Sequence, residues 1–295
     1  MATPNSSNEI VEQQLDGCCQ EIEKVLGADV YAFDGPILHG ADVIIRDTIE
    51  SRLDSASRRR TKLAMMLETP GGYIEVTQRI ADTLRRHYKH VEFIVPDYAM
   101  SAGTILVMSG DVIRMDYFSV LGPIDPQVTR PGSDSSVPAL GYLAQYERLI
   151  EKSRNGTLTT AEMAFLIEKF DPAELYSYEQ ARDLSITLLK EWLVKYKFKD
   201  WKKTETHHKK VTLAIKRKRA EDIARKLNDT KKWHSHGRGI NKDILQRDLK
   251  LRINDFAEDK NLNSCVRSYH RLMNDYMGRR GHAAAIHTVQ QYRGF

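Results

Sequence analysis

Cysteine is scarce in this chain. There are 3 in 295 residues, two of them adjacent (Cys18, Cys19) and the third distant (Cys265). The count is odd and no CxxC pair occurs, which argues against a disulfide framework and against a cysteine-based structural zinc site. Long apolar runs are missing too. None approaches the ~20 residues that a membrane span requires. The opening, MATPNSSNEIVEQQLDG, carries no apolar signal-peptide core and reads as a polar, frayed terminus. These absences set the expectation of a protein of the reducing cytoplasm, with no membrane partner. No dinucleotide-binding glycine pattern, no HExxH helix and no internal repeat is present, so no cofactor and no metal is expected.

What is present is ordinary globular composition: 41% hydrophobic and 29% charged residues over a length sufficient for a sizeable core. The net charge of +5 is modest and does not argue for a nucleic-acid partner. The Lys/Arg-rich stretch 197–219 is diluted by Glu205 and followed by Glu221 and Asp222, and it reads as a solvated helix face.

Apolar runs and turn residues alternate in the first half. Asp29–Phe33, Lys62–Leu67, Val91–Val95 and Val112–Met115 suit short buried strands. Ala41–Leu53, Tyr73–His87 and Ser101–Met108 suit helices, the second with apolar residues at Ile74, Val76, Ile80, Ala81 and Leu84. The repeat predicts an α/β domain with mainly parallel strands and sites at their carboxyl ends. After the polar loop 130–136 the pattern turns helical: Ala139–Ser153, Thr160–Phe170, about Ala173–Tyr196, and again Asn263–Tyr292.

Three turns in the α/β half carry candidate chemistry. Thr69-Pro70-Gly71-Gly72 follows a strand. Consecutive glycines there let backbone N–H groups point at a developing oxyanion, or simply make a tight turn. Ser101, in Ala99-Met100-Ser101-Ala102-Gly103-Thr104, stands between a strand and a helix of small residues. A serine so placed can be a nucleophile or a helix N-cap. The strict G-x-S-x-G elbow is absent, because Ala99 takes the first glycine position. Asp125, in Gly122-Pro123-Ile124-Asp125-Pro126-Gln127, lies twenty-four positions after Ser101 in a rigid apolar loop. It can orient a histidine or accept turn N–H groups.

A serine nucleophile needs a base. His234 and His236 sit in Trp233-His234-Ser235-His236-Gly237-Arg238-Gly239-Ile240, where an aromatic and two glycines suggest a packed loop. His236 is the first candidate, His234 the second and His270 the third. Lys152 and Lys190 are lysine alternatives. A metal role for His234 and His236 has no supporting third ligand nearby in sequence.

The segments LETPGGYIEVTQRIADTLRRH, VEFIVPDYAMSAGTILVMSGDVIRM, SVLGPIDPQ, LLKEWLVKYKFKDW and WHSHGRGI resemble the serine dehydrogenase proteinase family of the Clp-protease/crotonase superfamily. The likeness spans about Val30 to Tyr292. It implies a crotonase/Clp-protease-like spiral of β-β-α units with a helical C-terminal half. On this basis the chain divides into an N-terminal extension (1–28), an α/β core (29–200) and a basic, helical C-terminal region (201–295). The resemblance implies a serine peptidase acting on peptide or protein substrates, assembled as a trimer, hexamer or larger ring, with scope for a regulatory partner. Ser101 matches the family nucleophile, and Gly71 and Ala102 match the oxyanion-hole amides, with Gly72 beside them. The base does not transfer. No histidine lies between Ser101 and His207, and no lysine between Lys89 and Lys152. Two other readings share the fold: a non-catalytic scaffold or adaptor, and an acyl-CoA enzyme using the oxyanion hole for an enolate.

Overall fold

The computed structural model describes residues 6–55, 60–124, 127–129, 136–205, 208–233 and 237–295. In chain order the elements begin with α1 (Ser7–Leu26), β1 (Asp29–Asp34), α2 (Ala41–Ser55), β2 (Lys62–Glu68), α3 (Ile74–His87), β3 (His90–Ile94) and β4 (Tyr98–Ala99). They continue through α4 (Ala102–Met108), β5 (Val112–Arg114), β6 (Val120–Leu121), β7 (Gln127–Thr129) and β8 (Ser136–Pro138). The helical part holds α5 (Ala139–Arg154), α6 (Thr160–Lys169), α7 (Pro172–Trp192), α8 (Leu213–Leu227) and α9 (Thr230–Trp233). The chain ends with β9 (Ile240–Asn241), α10 (Lys242–Arg247), α11 (Lys260–Arg280), β10 (Ala285–Thr288) and β11 (Gln291–Gly294).

The main sheet runs β11-β10-β1-β2-β3-β5. β1, β2, β3 and β5 are parallel, while β10 and β11 join antiparallel at the edge. Alternation along the strands covers both faces. Tyr31, Phe33, Leu63, Met65, Leu67 and Phe93 pack toward α2, α3 and the helical part. Val30, Ala32, Ala64, Met66 and Ile94 pack toward α1 and α11. The polar N-terminal stretch therefore becomes a helix that covers the sheet, with Leu15, Cys19 and Ile22 buried in that second core. The expected C-terminal helix also stops short. Gly281, at φ 69, terminates α11, and the chain returns as β10 and β11.

A second, smaller set of pairings makes the fold a spiral of β-β-α units. β1, β2 and β3 each pass into a short segment of a second ladder before the next helix. Isolated bridges join Ile37 to Gly72 and Thr69 to Ala99. β4 then pairs parallel with β6, and β6 pairs antiparallel with β9.

At the opposite, amino end of the parallel strands sits a buried ionic network. Glu92 accepts from Lys62 and Arg114, each at 2.7 Å. Asp111 accepts from Arg85 at 2.7 Å and from the Val91 N–H at 2.8 Å, and also pairs with Lys199. Burial opposes ionisation of both acids, but these donors outweigh it and hold both carboxyls below their usual range. Acids with lowered folded pKa values contribute stability above about pH 4 that is lost as pH falls through the folded values. Melting temperature is therefore expected to drop on acidification below about pH 4. Asp111→Asn should cost roughly 3 kcal/mol at pH 7, because Arg85 is left buried without its partner. Denaturant melts of both proteins from pH 3 to 7 check this, and equal stability at pH 7 would count against it.

Candidate active site

Ser101 stands where β4 turns into α4. Its backbone adopts φ 51 and ψ −116, a conformation that non-glycine residues avoid. The residue is 2% exposed and its side chain makes no capping bond to the helix. The N-cap reading is thereby set aside. The turn is an elbow of the strand–serine–helix kind even without the G-x-S-x-G pattern. Small neighbours permit it. A Cβ on Gly103 would lie 2.3 Å from Thr69 Cγ2, so β2's end and α4 touch only because residue 103 is glycine.

The Gly-Gly turn lies against this elbow. At φ 102, Gly71 is so close that a Cβ there would sit 2.8 Å from the Met100 carbonyl, 2.9 Å from Ser101 Cβ and 3.3 Å from the Ala102 nitrogen. The structure thus brings Gly71, Ser101 and Ala102 together. The Gly71 N–H donates to Thr69 Oγ1 at 3.0 Å. Gly72, at φ 152, is pinned to the other side: a Cβ there would lie 2.1 Å from the Ile37 carbonyl oxygen. Among the described residues the Gly72 N–H has no acceptor. Ala102 is the first residue of α4, so its N–H has no acceptor within the helix.

Thr69 is a residue that sequence reasoning passed over as part of a turn. It is fully buried. Its N–H donates to the Tyr98 carbonyl at 3.1 Å, and its carbonyl accepts from Met100 N–H at 2.9 Å. Its hydroxyl holds Gly71. One residue therefore ties the glycine turn to the serine elbow. Thr104, on α4, ties the end of β4 to the loop after β6. Its hydroxyl donates toward the Ala99 and Gly122 carbonyls at 2.8 and 2.9 Å and accepts from Gly122 N–H at 3.0 Å.

Asp125, His234 and His236 lie outside the described residues. Their flanking segments are described. β4 and β6 run parallel, and β9 runs against β6. The chain leaving β4 toward Ser101, the chain leaving β6 toward Asp125 and the chain entering β9 from Gly237 therefore share one end of this small sheet. Close packing locks the last two: a Cβ on Gly239 would lie 2.8 Å from Val120 Cγ1.

The other base candidates are engaged elsewhere. Lys152 pairs with Glu162, and Lys190 with Glu221 at 3.4 Å, both in the helical part. His270, on α11, is hydrogen-bonded to Glu68, with the Asn274 side chain 3.1 Å away. Burial works against the charge of His270, but Glu68 outweighs it and raises its pKa. Nearby, burial, with the Glu68 charge adding to it, pushes the Asp34 carboxyl up to about 7.

Together these features define an α/β fold with a strained serine elbow packed on a glycine turn. Residues 20–210, more than half of the chain, match the family of ClpP-like SDH-type serine proteinases, and the chain belongs to that family. Two uncharacterised proteins of Methanocaldococcus jannaschii are similar in sequence. One is 32% identical over 146 residues, covering 49% of this chain and 46% of the relative. The other is 30% identical over 165 residues, covering 56% and 51%. The chain thus spans about half the length of the curated relatives it matches. Among solved structures, a variant of the 1510-N membrane-bound stomatin-specific protease aligns at 21% identity with a TM-score of 0.31, covering 51% of this chain and 76% of that one. A second variant of that protease, in complex with a substrate peptide, aligns at 23% identity with a TM-score of 0.32, covering 51% and 72%. Among the described residues no helix is long and apolar enough to cross a membrane.

Proposed function

We propose that this protein is a serine peptidase of the cytoplasm that cleaves peptide bonds through an acyl-enzyme on Ser101. The observation that carries the reading is the elbow itself: a strained serine packed directly on a glycine turn and on the first amide of α4. Ser101 Oγ attacks the scissile carbonyl carbon and its proton passes to the base. The carbonyl oxygen becomes an oxyanion beside the amides of the Gly71-Gly72 turn and of Ala102. With Gly71 N–H held by Thr69, Gly72 and Ala102 are the amides ready to donate. The base then protonates the leaving amine, and water releases the acyl group by the same route.

His236 is the proposed base and Asp125 its orienting partner. The support is topological: the segments carrying them leave the same end of the β4-β6-β9 sheet as Ser101. The exposed Leu38 and Tyr73 flank the Ile37–Gly72 bridge and suit an apolar substrate side chain. By family resemblance the working form is a homo-oligomer, open to regulation by a partner.

A fluorophosphonate probe tests the assignment. One adduct per chain is expected, mapping by mass spectrometry to Ser101. His236→Ala is expected to lower both probe labelling and peptide hydrolysis by about 10²- to 10⁴-fold. An adduct on another serine would overturn the nucleophile, and full activity of the His236 variant would overturn the base.

A further inference from the structure

We propose that Glu68, Asp97 and His270, with Asp34 beside them, form a binding site for a divalent transition-metal ion such as Mn²⁺ or Zn²⁺. Asp34 closes β1 and Glu68 closes β2, and the two are register partners across the sheet. Asp97 follows β3. Three neighbouring parallel strands therefore deliver three carboxylates to one end of the sheet. His270 reaches them from α11 and its Nε2 meets Glu68. One donor atom each from Glu68, Asp97 and His270 lies within 4.8 Å of the others. Donors on a single ion can stand up to about twice the ~2.0–2.2 Å metal–ligand distance apart, so a shift of a few tenths of an ångström closes the set.

Two features separate this place from a chance gathering of acids. The first is the imidazole nitrogen. Oxygen donors alone would suit Mg²⁺ or Ca²⁺, whereas a mixed nitrogen–carboxylate set favours Mn²⁺, Fe²⁺ or Zn²⁺. The second is burial. Glu68 is buried, and the small cavity beside Asp34, Glu68 and His270 is otherwise walled by Ala32, Phe33, Met66, Leu67 and Met273, so the carboxylates are poorly hydrated there and a cation would neutralise them. Charge points the same way. Arg267, close enough for its charge to act on Asp97, is bonded instead to Asp116 and, at 3.1 Å, to the Pro96 carbonyl.

The site is independent of the peptidase reading, and its test is read on binding and melting. The full chain, stripped with chelator and dialysed, is titrated calorimetrically with MnCl₂ or ZnCl₂ at pH 7.5. One saturable site per chain is expected, with a melting temperature raised on the order of 5 °C at a hundredfold excess over Kd. Asp97→Asn, half-exposed and tolerant of change, should keep the metal-free melting temperature and weaken binding at least tenfold. A Glu68→Gln/His270→Ala double variant should bind no metal at this site. Absence of saturable binding at 1 mM metal would overturn the proposal, as would equal affinity in all variants, which would place the ion elsewhere. Tighter binding of CaCl₂ or MgCl₂ than of MnCl₂ would overturn the choice of metal.

Discussion

Replacing Ser101 by alanine is expected to lower peptide hydrolysis on the order of 10⁴- to 10⁶-fold, the loss seen when a serine nucleophile is removed outright. The loss should fall on kcat, because the proposed oxyanion amides and substrate-facing rim are untouched. Stability should change little, since Ser101 is buried in a pocket of small residues and alanine occupies the same space. Ser101→Gly separates chemistry from strain. It should be equally inactive, yet more stable than the parent by about 1 kcal/mol. The φ 51, ψ −116 backbone costs a non-glycine residue ~1–3 kcal/mol, and glycine gives back ~0.5–1 kcal/mol in unfolded-state entropy. Kinetics and denaturant melts of both variants check this. Residual hydrolysis in Ser101→Ala near the parent's level would remove Ser101 from the mechanism.

Gly72→Ala is expected to cost about 3 kcal/mol or more, and to lower hydrolysis about 10²-fold in whatever protein still folds. The methyl would lie 2.1 Å from the Ile37 carbonyl oxygen, and backbone cannot yield as a flexible side chain can. The position also sits at φ 152, where a Cβ adds strain. Relief requires the turn to move away from Ile37, and a displacement near 1 Å at an oxyanion amide costs about 10² in rate. Gly278→Ala is the contrast. It lies inside α11 with nothing within 4 Å of its added methyl, and should stabilise by about 0.5–1 kcal/mol. Chemical denaturation of the two variants measures the difference, and equal effects would mean that the Ile37 contact does not constrain the turn.

The parallel strands of the main sheet were readable because they are buried on both faces and bounded by Pro and Gly. Lys62–Leu67, expected as a strand, is observed as Lys62–Glu68, and Tyr73–His87, expected as a helix, as Ile74–His87. The two-residue strands β4, β6 and β9 were not readable. Two residues carry no periodicity, and their pairing joins Leu121 to Ile240 across more than a hundred positions. β10 and β11 were hidden differently. β10 is only four residues long and β11 is polar and half-buried, so the two continue a long amphipathic helix without a strong break, apart from Gly281.

The same division runs through the candidate sites. Local chemistry singled out Ser101 and the glycines, because a turn's demands on its own backbone are written in its own residues. Thr69 looked like turn filler until its methyl met Gly103 and its hydroxyl met Gly71. His270 stood third among the base candidates, and only the packing of α11 on the sheet brought it to Glu68, 202 positions away. The alternation of strands and helices, the family, and the places where the backbone must turn tightly were all legible in the residues alone. All of these depend on residues within a few positions of one another. The tertiary structure alone decided which side chains share a site, because that depends on strand order and helix placement, and these bring together residues whose sequence separation carries no local signal.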